Sequence, residues 1–244
     1  MMKLTNKRIL ITGGTAGIGL EMAKQLAEQN EVLVLSRSGA LPEQVAQAHP
    51  RIQCMSVDIA NKVALEESVD RIARRYRTLD ILINNAAVQY TPHFNADDFE
   101  FDSIQHEIDV NFTAVCHLSY LCLPLLSKES RSIILNINSG LALAPKTSSA
   151  IYCAGKSAMD AYSRALSYQL EDSNIKVLQA FLPMVDTAMT QGRGSGKLSA
   201  EFAAKKILDG ISAERAINDI GKVRLLRALM RWVPGIGRSI MRQA

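Results

Sequence analysis

Arg8-Ile9-Leu10-Ile11-Thr12-Gly13-Gly14-Thr15-Ala16-Gly17-Ile18-Gly19 is the stretch whose reading decides the fold. An apolar run enters a turn crowded with glycine and leaves it as an amphipathic segment that continues to Gln29. A strand feeding a helix in this way gathers backbone N–H groups and the positive end of the helix at one point, which suits a pyrophosphate. Gly13 permits the tight turn, Gly17 lets the backbone approach the anion, and Gly19 allows close helix packing, with Thr15 and Ile18 lying between them. The spacing is G-x-x-x-G-x-G rather than G-x-G-x-x-G, and alone it does not separate a dinucleotide site from an ordinary strand-to-helix turn.

The same alternation continues along the chain. Apolar runs at Arg8 to Thr12, Val32 to Ser36, Ile52 to Val57, Ile81 to Asn84, Ser132 to Ile137 and Lys176 to Phe181, with a weaker seventh at Ala216 to Ile220, read as strands covered on both faces. Gly17 to Gln29, Leu41 to Gln47, Lys62 to Tyr76, Asp102 to Leu126, Ala150 to Glu171 and Ala200 to Ile211 carry apolar residues at three- and four-residue spacing, the pattern of helices. Right-handed crossovers then give an α/β fold, a Rossmann-type doubly wound parallel sheet of six to seven strands with helices on both faces. Residues 1–221 are assigned to this single domain and 222–244 to a basic amphipathic C-terminal tail.

Composition narrows the function classes. The 244 residues, 48% hydrophobic and 21% charged, suit one globular domain and exclude disorder, collagen-like repeats and a coiled coil. No apolar run reaches the roughly 18 residues of a membrane span. The first residues lack the plan of a secretory signal, so a cytoplasmic protein is expected. Cys54, Cys116, Cys122 and Cys153 form no C-x-x-C pair and read as free thiols, and His49, His93, His106 and His117 show no zinc spacing, so no metal is expected. The net charge of +4 is uneven: Lys222, Arg224, Arg227, Arg231, Arg238 and Arg242 fall in the tail with no acidic residue among them, leaving the body net acidic. The body has no basic stripe interleaved with aromatics, and nucleic acid is not an expected partner.

The end of the second strand bears on which dinucleotide is bound. A carboxylate there would hold the ribose hydroxyl of NAD, but the strand ends Leu35-Ser36-Arg37-Ser38. Arg37 can pair with a 2′-phosphate in fork geometry and Ser36 or Ser38 can donate a hydrogen bond to it, so NADP(H) is preferred over NAD(H). The ordinary alternative is a solvated surface arginine.

Ser139 follows the fifth strand, and Tyr152 and Lys156 lie at i and i+4 on the next helix, on one face. A lysine beside a phenol would lower its pKa from about 10 toward the range of proton exchange at neutral pH, and Ser139 can hold a substrate oxygen. Asn111 sits inside a helical segment, where asparagine is a poor former and wants a specific partner.

With Asp58 after the third strand, Asn84-Asn85-Ala86-Ala87 after the fourth, Asn111, Ser139 and Y-x-x-x-K at Tyr152 and Lys156, the chain from about Asn6 to Thr187 resembles the short-chain dehydrogenase/reductase family. The Leu182-Pro183-Met184-Val185-Asp186-Thr187 run and the glycine-rich segment after it look most like the DltE-like oxidoreductase subgroup. The resemblance implies an NADP-dependent oxidoreductase, with hydride transfer between nicotinamide C4 and a carbonyl or alcohol substrate. Tyr152 would be the acid/base, Ser139 would orient the substrate oxygen, and Asn111 would support a water-linked proton relay. Lys156 would also bind the nicotinamide ribose, Asp58 and Ile59 would flank the adenine, Asn85 would lie along the cofactor, and Thr187 would hold the carboxamide. It implies a homodimer or homotetramer built on the helices bearing Asn111 and Tyr152. The family's usual glycine after the sixth-strand proline is Met184 here, and the local backbone at that point is open. The alternative from another class is a catalytically silent NADP(H)-binding redox sensor or scaffold, against which the retained Asn111, Ser139, Tyr152 and Lys156 speak.

Val88 to Asn95, Gly140 to Thr147 and Met184 to Leu198 follow strand ends and are the expected substrate walls, partly apolar through Leu141, Leu143 and Met184. Arg193 and Lys197 are candidates for an anionic group on the substrate. In the tail, Val223 to Val233 form a helix with Arg224, Arg227 and Arg231 on one side, and Pro234-Gly235 are expected to end it. Such a helix either packs on protein or makes peripheral contact with an anionic membrane.

Overall fold

Alternate residues of β1 (Arg8–Thr12) point to opposite faces of the sheet and so belong to different cores. Ile9 and Ile11 pack with Met22, Leu26 and Ile207 on one face, whereas Leu10 packs with Leu65, Val69 and Leu118 on the other. A strand buried on both sides needs apolar residues at every position, which is why these strands lack polar alternation.

The computed structural model describes residues 1–126 and 130–243. In chain order β1 is followed by α1 (Gly17–Ala27), β2 (Glu31–Ser36), α2 (Glu43–Ala48), β3 (Ile52–Ser56), α3 (Lys62–Tyr76), β4 (Ile81–Asn84), α4 (Asp102–Ile108) and α5 (Ala114–Cys122). Then come β5 (Ser132–Ser139), α6 (Ala150–Gln169), β6 (Ile175–Leu182), β7 (Val185–Asp186), β8 (Leu198–Ser199), α7 (Ala200–Ser212), β9 (Ile217–Asp219), α8 (Val223–Trp232) and α9 (Pro234–Arg242). Seven strands form one parallel sheet in the order β3-β2-β1-β4-β5-β6-β9. The winding reverses between β1 and β4, so the loops leaving their carboxyl ends diverge and open a crevice.

Four elements depart from the sequence expectation. The helix expected over Asp102 to Leu126 is two helices joined by a π-helical turn at Asp109–Thr113, and it ends at Cys122. The fifth strand runs on to Ser139, which is its last residue and not a loop residue beyond it. Helix α2 begins at Glu43 because Pro42, with φ −52°, stands before its first turn. Pro234 ends α8 but also opens α9, a first-turn position where its missing N–H costs nothing.

Candidate active site

The glycine turn is anchored from below by the loop that leaves β4. Thr12 Oγ1 accepts from the backbone N–H groups of Asn85 and Ala86, both at 3.0 Å. The Asn85 amide returns the contact, donating to the carbonyls of Thr12 at 3.0 Å and Gly13 at 3.2 Å. Gly13 has φ +67°, a conformation other residues adopt at a cost. A side chain at Gly19 would meet the Gly13 carbonyl and the Asn85 amide, so this position has no space for one. Asn85 therefore holds the turn in shape as well as facing the crevice.

Above this turn lies a cavity of about 1060 Å³. Gly13, Thr15, Gly17, Ile18, Gly19, Ser36, Arg37, Asp58, Ile59, Asn85, Ser139, Tyr152, Lys156 and Thr187 all line it. At one end Arg37 is exposed, and the Ser36, Ser38 and Thr15 hydroxyls are grouped beside it, with Ser38 Oγ 3.3 Å from Ser36 Oγ and 3.4 Å from Thr15 Oγ1. Asp58 turns its Oδ1 to the Ala60 N–H at 3.0 Å, and it is Asn61 that caps α3 by accepting from Ala64 N. The open glycine turn and the groups along this end of the cavity fit a nicotinamide dinucleotide.

At the other end, β5 and α6 bring Ser139, Tyr152 and Lys156 together. Lys156 is buried and donates from Nζ to the Ile137 carbonyl at 2.9 Å, with Nζ 5.6 Å from the centre of the Tyr152 ring. Burial alone pushes its pKa down to about 8. The phenol behaves opposite to expectation: burial, reinforced by Cys153 and Glu107, raises the Tyr152 pKa above its usual value. Ser139 and Arg193 pull it the other way without prevailing. Among the groups that pull the phenol down Lys156 is not one: its Nζ stands 5.6 Å from the ring centre and donates to the Ile137 carbonyl. Tyr152 is thus a held proton rather than a ready phenolate.

Asn111 is fully buried and does not line the cavity. Its amide donates to the Val88 carbonyl at 2.8 Å and accepts from the Val88 N–H at 2.9 Å. One turn earlier, the buried Glu107 accepts from the Tyr90 N–H at 3.0 Å. Two side chains of one helical segment therefore clamp the Val88–Tyr90 wall of the site, and the π turn at 109–113 accompanies this reach of Asn111 out of the helix. Replacing Asn111 with alanine leaves two backbone groups unpaired; we expect a loss of about 2–4 kcal/mol and a fall in Tm of about 5–10 °C, read by thermal unfolding. An unchanged Tm would show that the clamp is dispensable.

A polar layer lies under the site, and it leaves only a faint trace in the sequence. Asn84 donates to Asn136 Oδ1 at 2.8 Å and Asn136 to Ser163 Oγ at 2.8 Å, while Asn138 donates to Gln179 Oε1 at 3.0 Å and Gln179 to Asp160 Oδ1 at 2.9 Å. The alternation Asn136-Ile137-Asn138 on β5 was the available signal. Met184 has no positive φ, so its place there needs no glycine; its segment is tied back by pairing of Val185 and Asp186 with Leu198 and Ser199. Lys197 is engaged by the Thr190 carbonyl at 2.7 Å and Asp186 at 3.5 Å, and of the two loop cations only Arg193 lines the cavity. The tail also reaches this region: Lys222, Val223, Leu226 and Met241 line the cavity, and Thr147 donates to the Arg242 carbonyl at 2.6 Å.

Such a sheet, with a glycine turn and a serine, tyrosine and lysine meeting over its carboxyl edge, defines an oxidoreductase of the nucleotide-binding α/β kind. The short chain dehydrogenase family model matches residues 7–197, and the chain belongs to that family. A Bacillus subtilis protein named Uncharacterized oxidoreductase DltE is 37% identical over 217 residues, 86% of each chain. A very-long-chain 3-oxoacyl-CoA reductase from Macaca fascicularis is 30% identical over 92% of this chain and 73% of its own. A solved short chain dehydrogenase from Burkholderia cenocepacia in complex with NADP superposes with a TM-score of 0.86 at 19% identity, covering 98% of this chain and 99% of its own. One from Burkholderia phymatum in complex with NAD gives 0.83 at 18%, covering 95% and 96%. Both cofactors thus occur on this fold.

Proposed function

We propose that the chain is an NADP(H)-dependent carbonyl reductase with Tyr152 as the proton donor. The observation that carries this reading is the meeting of Ser139, Tyr152 and Lys156 with the glycine turn on one cavity. When bound, the nicotinamide supplies the hydride at C4. The chain's own residues do the rest: Ser139 hydrogen-bonds the substrate oxygen, Tyr152 gives that oxygen its proton, and Lys156 holds the ribose and the tyrosine in place. A phenol kept protonated by burial suits donation, hence the reducing direction. Arg37, with Ser36 and Ser38, supports preference for the 2′-phosphate. Leu141, Met184, Val223, Leu226 and Met241 give the substrate end an apolar lining, with Arg193, Lys146 and Lys222 as cations at its wall, which favours a lipophilic carbonyl compound. Tyr120 on α5 and Tyr168 on α6 are exposed, which favours a homodimer or homotetramer through those helices.

The test is fluorescence titration with NADPH and NADH, followed by a panel of aldehydes and ketones read at the nicotinamide absorbance. Tighter NADPH binding with turnover supports the proposal; binding without turnover across the panel moves the reading to a cofactor-binding sensor. The pH profile adds a separate check. With Lys156 near 8 and Tyr152 raised, kcat/KM for reduction should hold below about pH 8 and fall above it, as the ammonium loses its proton while the phenol keeps its own. In Lys156→Arg that falling limb should move out of range. A limb that stays at the same pH belongs to another group.

A further inference from the structure

The C-terminal helices carry two apolar faces, and the body of the protein uses only one. In α8, Val223 and Leu226 are buried and line the cavity, whereas Leu225 and Trp232 are 65% and 74% exposed. In α9, Gly237 is buried against Met230 and Leu229, whereas Ile236 and Ile240 are 56% and 53% exposed. At about 100° per residue the inward and outward residues of α8 fall on roughly opposite sides with its arginines on one flank between them, whereas in α9 Ile236 and Ile240 lie next to the buried Gly237 and across the helix from Arg238 and Arg242. The plan occurs twice at the sequence level. Leu225-Leu226-Arg227-Ala228-Leu229-Met230-Arg231 is matched by Ile236-Gly237-Arg238-Ser239-Ile240-Met241-Arg242, position for position in character except that glycine replaces Leu226. That glycine is what lets α9 lie close on α8. Arg227 is spent on the body, bonded to both oxygens of Asp219 and lying over Phe181. Arg231, Arg238 and Arg242 have no acidic partner among the described residues. The segment from 222 onward contains no acidic residue at all.

A basic flank beside an unpartnered apolar face, with a tryptophan at its edge, is complementary to an anionic lipid surface: headgroups meet the arginines, and Leu225, Trp232, Ile236 and Ile240 enter the acyl boundary. No helix among the described residues is long and apolar enough to cross a membrane, so the contact is peripheral. We propose that α8 and α9 dock this protein on anionic lipid. The same two helices wall the proposed substrate pocket with their inner faces, so docking sets the pocket beside a source of lipophilic carbonyl compounds. The docking itself does not depend on the proposed activity.

Trp232 is the chain's one tryptophan and reports the contact directly. The full-length protein is mixed with phosphatidylcholine vesicles or with phosphatidylcholine/phosphatidylglycerol vesicles, and sedimentation and tryptophan emission are followed. We expect binding and a blue-shifted emission with the anionic vesicles alone, weakened by high salt. Each neutralised arginine should cost about fivefold, so Arg231→Gln, Arg238→Gln and Arg242→Gln together should weaken binding on the order of a hundredfold. NADPH binding and turnover of a water-soluble carbonyl should be unchanged in that variant, which shows that it is folded and separates a failure of docking from a failure of the enzymatic reading. No binding, or equal binding to neutral vesicles, overturns the proposal. So does absence of vesicle binding together with a dimer that Leu225→Glu and Ile236→Glu dissociate, which would assign the face to a second copy of the chain.

Discussion

Tyr152→Phe is expected to cut carbonyl reduction by about 10³-fold while leaving the Kd for NADPH within about twofold. The substitution keeps the ring that fills the space between Ser139 and Lys156 and removes only the hydroxyl, so packing and fold should survive. What disappears is the proton. Burial holds the Tyr152 pKa above its ordinary value, with Cys153 and Glu107 adding to the effect, so at neutral pH the phenol is fully protonated and available to the substrate oxygen. Lys156 cannot readily substitute, because its Nζ is bonded to the Ile137 carbonyl. Ser139 remains to hold the oxygen, which is why a residual rate from orientation alone is expected rather than none. Single-turnover absorbance decay of bound NADPH measures the step directly. Turnover at the wild-type rate would place the proton on another group and remove Tyr152 from the chemistry.

Local pattern made the fold and the cofactor end legible, whereas the substrate end depended on contacts between distant segments. Strands buried on both faces announce themselves as unbroken apolar runs, and all seven of the main sheet lie where those runs stand. Gly13 and Gly19 are required by a backbone angle and by a lack of space at the turn itself, so the turn could be recognised from a dozen residues. Asn111 was legible as an anomaly within a helix, but its partner Val88 is 23 positions away and no periodicity names it. The sign of the Tyr152 shift is hidden from the sequence for a related reason. Tyrosine and lysine four apart on a helix suggest a charge pair, and only the surrounding burial shows that loss of solvent outweighs it. Sequence pattern alone gives the tail a basic amphipathic helix that stops at Pro234. Its second helix and its place in the cavity wall arise from close packing over Gly140, where any side chain would crowd Val223 and Leu226, and from the bond between Thr147 and Arg242.

Arg37→Ala is expected to weaken NADPH binding by about 10- to 100-fold and NADH binding by less than about threefold. The asymmetry is the argument. Arg37 follows a strand end that holds no carboxylate, its guanidinium has no acidic partner among the described residues, and the hydroxyls of Ser36, Ser38 and Thr15 gather beside it. A 2′-phosphate brings the charge that such a cation lacks, whereas a ribose hydroxyl gains little from it. Because the side chain is exposed, ions screen the interaction, and the wild-type preference for NADPH over NADH should shrink as salt rises while the variant's ratio stays flat. Arg37→Asp should go further, repelling the phosphate and offering the ribose an acceptor, so that the preference inverts. Fluorescence titration of both cofactors at two ionic strengths reads all of this. Equal losses for NADPH and NADH would remove Arg37 from the phosphate site and leave the choice of cofactor to groups elsewhere in the cavity.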